Sequence, residues 1–331
     1  MRHGFYAHEV PAPKAPKAPS PGRHRESPTI TPGSYDWSFI PGTKTQAPDL
    51  APFNPRVWEN HNSVLIGTFL LAVLYLWAVG PLRKRKGWAP RFPVGRAVTF
   101  FVRLLVLLCS LNGPLHDLSD FYLFSMHMVQ HLLLTQIMAP LLILGLPAWL
   151  VAAIVRKPAM ARAARFWGSP LVGGGLFIAA IIFWHLIPFY DLMMRNHNIH
   201  IATHLMFMVT AVMAWWCVCC PVDAGGRLKE PAQMLYLFLL GVPMQIVAAV
   251  ITLSDSVLYP WYASAPRTWG LLPLDDQQLG GLLMWVPGGL GLWIAITAVW
   301  LVWARRSGHP GAGRVPESAR ADEPPLTLPG N

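Results

Sequence analysis

The chain of 331 residues is 53% hydrophobic and only 13% charged, against roughly 25% charged residues in an ordinary soluble domain. With 15 Trp, 15 Phe and 13 Met and a mean hydropathy of +0.39, it reads as a chain solvated by lipid, which excludes a soluble globular enzyme. The net charge of +10 does not imply nucleic acid, because the basic residues sit in tails and in short gaps between apolar runs instead of on one folded face.

Residues 1–61 form a Pro-, Ala- and Ser-rich tail with runs such as Lys14-Ala15-Pro16-Lys17-Ala18-Pro19. Such a segment buries too little apolar surface to offset its ordering entropy, so disorder is expected. No apolar stretch in it could serve as the h-region of a signal peptide. Seven apolar segments follow, at 62–81, 97–115, 119–146, 170–188, 197–220, 233–254 and 278–303, each judged against the ~20 residues a helix needs to cross the hydrocarbon. They predict an all-α integral membrane protein with seven transmembrane helices in one membrane domain over 62–303. Pro140 is expected to kink the third span, and Pro243 and Pro287 to interrupt the sixth and seventh. Gly288, Gly289 and Gly291 would allow close helix approach. Residues 304–331 read as a second disordered tail.

Loop charge sets the expected orientation. Arg83, Lys84, Arg85, Lys86, Arg91 and Arg96 follow the first span, and Arg156, Lys157, Arg162 and Arg165 follow the third. Arg227 and Lys229 follow the fifth, and Arg305 and Arg306 the seventh. The alternate loops carry at most a single Arg, Arg195 or Arg267. The positive-inside rule then predicts the N-terminus outside and the C-terminus in the cytoplasm.

In that topology His61, His116, His127, His131, His185, His197, His200 and His204 all fall toward the outer side. His127/His131 and His200/His204 are i, i+4 pairs, each leaving one face of a helix. Imidazoles so spaced can converge on one ion or line one polar cavity, and ionisable groups inside a membrane are costly and usually functional. Met126, Met128, Met193, Met194, Met206 and Met208 offer soft sulfur nearby. A His/Met mixture suits copper, especially Cu(I), while the carboxylates of Asp117, Asp120 and Asp191 leave zinc or Cu(II) open. The bland readings are interhelical hydrogen bonding for single histidines and apolar filling for the methionines.

Two further features stand apart. Cys217-Val218-Cys219-Cys220 has no His or Cys partner on its side of the membrane, and small cysteines in a helix are ordinary, so a structural role is expected. With Cys109 they form no disulfide framework. The longest outer loop carries Tyr259-Pro260-Trp261-Tyr262 and Trp269, which fit an interfacial belt. Its Asp275-Asp276-Gln277-Gln278 run could cap the last span or send hydrogen bonds toward the histidine layer.

Several motifs in order resemble a known family: Gly113-Pro114-Leu115-His116-Asp117 leading into His127-Met128-Val129-Gln130-His131; Ala139-Pro140-Leu141-Leu142 and Gly145-Leu146-Pro147; Trp184-His185-Leu186-Ile187-Pro188 with Tyr190-Asp191; His200 to His204 followed by Phe207 and Trp215-Trp216; and Asp276-Gln277-Gln278 with Met284-Trp285-Val286-Pro287-Gly288. Over about 62–303 the chain resembles the seven-helix CtaG-type cytochrome c oxidase assembly factors of bacterial membranes. The resemblance implies a non-enzymatic plasma-membrane factor that helps build a terminal oxidase around its copper centre, with oxidase subunits as partners and no nucleic acid. On the matching positions His127, His131, His185, His200 and His204 would handle the metal. His116, His197, Met128 and Asp117 complete the expected set, with weaker carry-over. Two readings compete with a copper chaperone: a b-type haem protein with axial histidines, and a transporter of copper or protons. A retinal protein is excluded because all seven Lys lie in tails or loops. Oligomeric state stays open, a homo-oligomer included.

Overall fold

A computed structural model describes residues 35, 37–44 and 51–307. Among them every regular element is helical. The long helices are α1 (Asn62–Lys86), α2 (Val94–Leu111) and α3 (Phe124–Gly145). Shorter ones follow, α4 (Ala148–Val155), α5 (Pro158–Trp167), α6 (Pro170–His185) and α7 (Ile187–Arg195). The last three are α8 (His197–Cys219), α9 (Glu230–Thr252) and α10 (Pro273–Ser307). Six described helices are long and apolar enough to cross a membrane, and a seventh crossing results if α5 and α6, bent by 45°, count as one. The protein is therefore a multi-pass membrane protein. The disorder expected of the tails falls largely on 1–34, 36, 45–50 and 308–331, outside the described residues.

The observed boundaries differ from the hydropathy reading where local chemistry overrides apolarity. The second span ends at Leu111 and not 115, because Gly113 takes φ 85° and Pro114 opens a separate turn, Pro114–Asp117. Residues Leu118–Tyr122 form a wide π-helical turn, and Leu123 is extended, so the third span starts at Phe124 and not 119. The fourth stops at His185, because Pro188 has no N–H to continue α6 and instead fits the first turn of α7. Pro243 and Pro287 interrupt nothing: α9 and α10 run through both as continuous helices.

Pro140 leaves α3 continuous but coincides with a change in its geometry. The turn Leu133–Met138 widens to π-helical geometry just before it. Pro140 returns no N–H to this turn, and the freed carbonyl of Thr135 accepts a hydrogen bond from Trp215 Nε1 of α8 at 2.9 Å. In lipid a broken ladder survives only with such a substitute partner.

Helices α3 and α8 are the most buried spans and form the centre. Helix α2 flanks α3, α6 flanks α8, and α9 and α10 pack along each other with α10 against α3. Helix α1 lies at the edge on α2, its Tyr75 hydroxyl donating to the Gly145 carbonyl at 3.0 Å. Exposed side chains such as Ile66, Phe69 and Leu70 on α1, and Ile246 and Val250 on α9, make the lipid-facing girdle. At the histidine end Gly280 of α10 lets the start of α3 approach closely: a Cβ there would stand 2.3 Å from the Phe124 ring and 3.2 Å from the Ser125 Cα.

Candidate metal centre

The eight membrane-region histidines gather at one end of the bundle, and three local devices position them. Helix α3 begins without a cap of its own, and Asp276 of α10 supplies one: its Oδ2 accepts from the Phe124 N–H at 2.7 Å, and its Oδ1 from the Ser125 N–H at 3.1 Å and the Ser125 hydroxyl at 2.5 Å. A carboxylate is favourable at a helix N-terminus, and here it fixes the turn that carries His127. Asn196 caps α8 with its Oδ1 on the N–H groups of Asn198 and Ile199, at 3.1 and 3.2 Å. Its Nδ2 holds the Pro41 carbonyl and the Thr43 hydroxyl, both at 3.0 Å, tying residues 37–44 to this end. Gln130, buried between the two α3 histidines, donates to the Ser110 carbonyl at 2.7 Å and lies 3.1 Å from His116 Nδ1.

His127, His131 and His204 are buried, and one ligand atom from each lies within 4.8 Å of the others. A second set, Asp120, His127 and His200, meets the same limit. His127 belongs to both. His200 Nε2 and His204 Nε2 are 2.8 Å apart, and the facing ring centroids are 4.3 Å apart for His127 and His131 and 5.4 Å for His131 and His204. Both nitrogens of His127 and the Nε2 atoms of His131 and His185 are buried with no hydrogen-bond partner. Buried polar groups are nearly always paired, so lone pairs converging without donors are what a cation site requires. His185 stands beside this cluster, its ring 6.1 Å from His131, with Nδ1 engaged by the Ile181 carbonyl at 2.7 Å and Nε2 left free.

The remaining expected residues lie around that centre. His116 is buried with Nε2 3.5 Å from Asp120, and its ring meets that of His61 at 4.4 Å. His197 is exposed at the rim, 6.5 Å from His61. Met128 is fully buried in the main apolar cluster, as is Met193, while Met208 lines a cavity with the histidines. Asp117 accepts from the Glu59 N–H at 3.1 Å. The carboxylate that reaches the histidines is that of Asp120, 3.6 Å from His200 Nδ1. Burial raises the Asp120 carboxyl, opposed by the His116 beside it, and burial lowers the His116 imidazole. The His116/Asp120 spacing of i, i+4 is the one sequence signal that singles out this acid.

A cavity of about 220 Å³ reaches this centre from the surface, lined by His61, His116, Asp120, His197, His200 and His204 among others. The loop expected as an interfacial belt instead covers the site. Tyr259, Trp261 and Tyr262 are buried, and Trp269 alone of that group is exposed. The Tyr262 hydroxyl donates to the Ser119 carbonyl at 2.6 Å, Trp261 Nε1 to the Asp120 carbonyl at 2.8 Å and the Tyr259 hydroxyl to the His185 carbonyl at 3.0 Å. Gln277 and Gln278 lace that loop through the Leu258 N–H and the Ser256 and Ser254 carbonyls. At the opposite end Cys217 and Cys220 point their thiols at the carbonyls of Ala214 and Val222. No cysteine joins a metal-capable group among the described residues.

Residues 73–306 match the sequence model of the cytochrome c oxidase caa3 assembly factors. The chain is also similar to uncharacterised proteins of Mycobacterium bovis and Mycobacterium tuberculosis, at 25% identity over 82% of this chain and 43% of each relative. A third, from Mycobacterium leprae, is 23% identical over 79% of this chain and 41% of its own length. The match thus spans less than half of these curated relatives. No solved structure gives a significant match.

Proposed function

The chain belongs to the cytochrome c oxidase caa3 assembly factor family, and on that premise we propose that it holds copper at its histidine end and passes it to an oxidase subunit during assembly. The observation that carries this reading is the buried convergence of His127, His131 and His204, in which both nitrogens of His127 and Nε2 of His131 have no hydrogen-bond partner. Neutral imidazoles are good ligands for copper and zinc, and cargo destined for delivery calls for few ligands and an open path. His185 is a fourth nitrogen within reach of small side-chain movement. The basic loops around Arg83–Lys86, Arg156, Lys157 and Arg305 lie at the other end, which supports an external histidine end in a bacterial plasma membrane.

Space favours a bare ion over haem. The cavity at the histidines is about 220 Å³, below the roughly 300–1,000 Å³ of cofactor pockets, and the imidazoles already touch one another. Protein purified in detergent after growth with copper is expected to carry about one copper per chain and to show no Soret absorption. A folded His127→Ala/His131→Ala variant should lose that copper. Copper retained in full by the double variant would sink the assignment, and a Soret band would turn the same histidines into haem ligands.

A further inference from the structure

The two candidate sets are not alternatives at separate places. They share His127, and within each the ligand atoms lie within 4.8 Å of one another. Both Asp120 and His200 line the cavity that opens to the surface, whereas of the second set only His204 does and His131, like the shared His127, does not. His197 is exposed at its rim, and Ile201 and Leu205, both more than half exposed, flank its mouth. The link between the sets is the 2.8 Å contact of His200 Nε2 with His204 Nε2. An ion taken by His204 at that nitrogen displaces this hydrogen bond.

We infer that the histidine end is a two-station relay for one ion, with a receiving station of Asp120, His127 and His200 and a holding station of His127, His131 and His204. This rests on the copper reading above and adds the order of occupancy and the route. An incoming cation meets the Asp120 carboxylate first, which attracts it from the cavity. It then keeps His127 as a pivot and exchanges Asp120 and His200 for His131 and His204. The exchange swaps one imidazole for another and replaces a hard oxygen with a third nitrogen, a softer donor set that favours Cu(I). A neutral His127 imidazole has one lone-pair nitrogen and so serves one ion at a time. Release runs the same path backwards, so loading and unloading are governed by the same residues.

The test follows Cu(I) moving between the detergent-purified full chain and a colorimetric Cu(I) chelator, reading both the amount bound and the rates. Asp120→Asn is expected to slow loading by roughly tenfold or more while the holding station still fills. His131→Ala leaves only the receiving station, and its ion should leave roughly tenfold faster than from the unmodified chain. Leu205→Trp touches no ligand and narrows the mouth, so it should slow loading and release together with one ion still bound. This variant keeps the inference testable if the Asp120 substitution prevents folding. Two ions per unmodified chain would overturn it, as would unaltered rates in Leu205→Trp and a folded Asp120→Asn. A chain that binds no copper at all would overturn the copper reading, and the relay with it.

Discussion

Gln130 does its work through two contacts, the Ser110 carbonyl and His116 Nδ1, in a place where water cannot replace it. Gln130→Leu is expected to lower stability by about 1–3 kcal/mol, the cost of orphaning buried polar groups, seen as a lower unfolding temperature in detergent. The i, i+4 spacing made His127/His131 and His200/His204 legible in the sequence, because a helix fixes which side chains share a face. Asp120 was separable from Asp117 only by its i, i+4 step from His116. Gly113, Pro114 and the wide turn at Leu118–Tyr122 set the path of their loop, and no single helical period runs from it into α3. Nor did composition tell a buried Tyr262 from an interfacial one, since either uses an apolar ring with one polar atom.

At the scale of elements, the least local contact is the one that starts α3. Asp276 lies 151 residues from Ser125; the sequence offered a cap on the last span or hydrogen bonds toward the histidine layer, but not that the acid caps a different helix. Asp276→Ala should cost about 1–2 kcal/mol as a lost N-cap and reduce copper retention by loosening the turn that carries His127. Asp276→Asn keeps one acceptor oxygen for Ser125 but turns an NH2 toward the Phe124 N–H, so it should recover only part of both; thermal unfolding and metal content of the two variants check this. The prolines teach a related lesson. All three were visible in the sequence, yet only Pro140 accompanies a change of helix geometry. Its freed carbonyl is met by Trp215 of another helix, and a partner in a different span has no local signature. Trp215→Phe is expected to destabilise by about 1 kcal/mol, the usual worth of an interhelical hydrogen bond in membrane.

For the whole molecule, the segregation of histidines to one end and basic residues to the other was readable from the chain, because lipid thickness fixes how many residues separate the two faces. Thiol labelling with a membrane-impermeant maleimide tests the orientation. In a chain whose four native cysteines are replaced by Ser, Asp255→Cys should react in intact cells and Lys157→Cys only after lysis; the reverse pattern would invert the topology. The same cysteine-free background should keep its copper, because neither candidate metal group includes a cysteine. The cap given to α3 by α10 has a consequence for synthesis. The ribosome releases the third span long before it translates residue 276, so during biogenesis the helix that carries His127 waits unanchored for its distant carboxylate. The lid residues Tyr259, Trp261 and Tyr262 also emerge late. Completion of the histidine end is thereby tied to insertion of the final span, and a truncated nascent chain lacks its finished geometry.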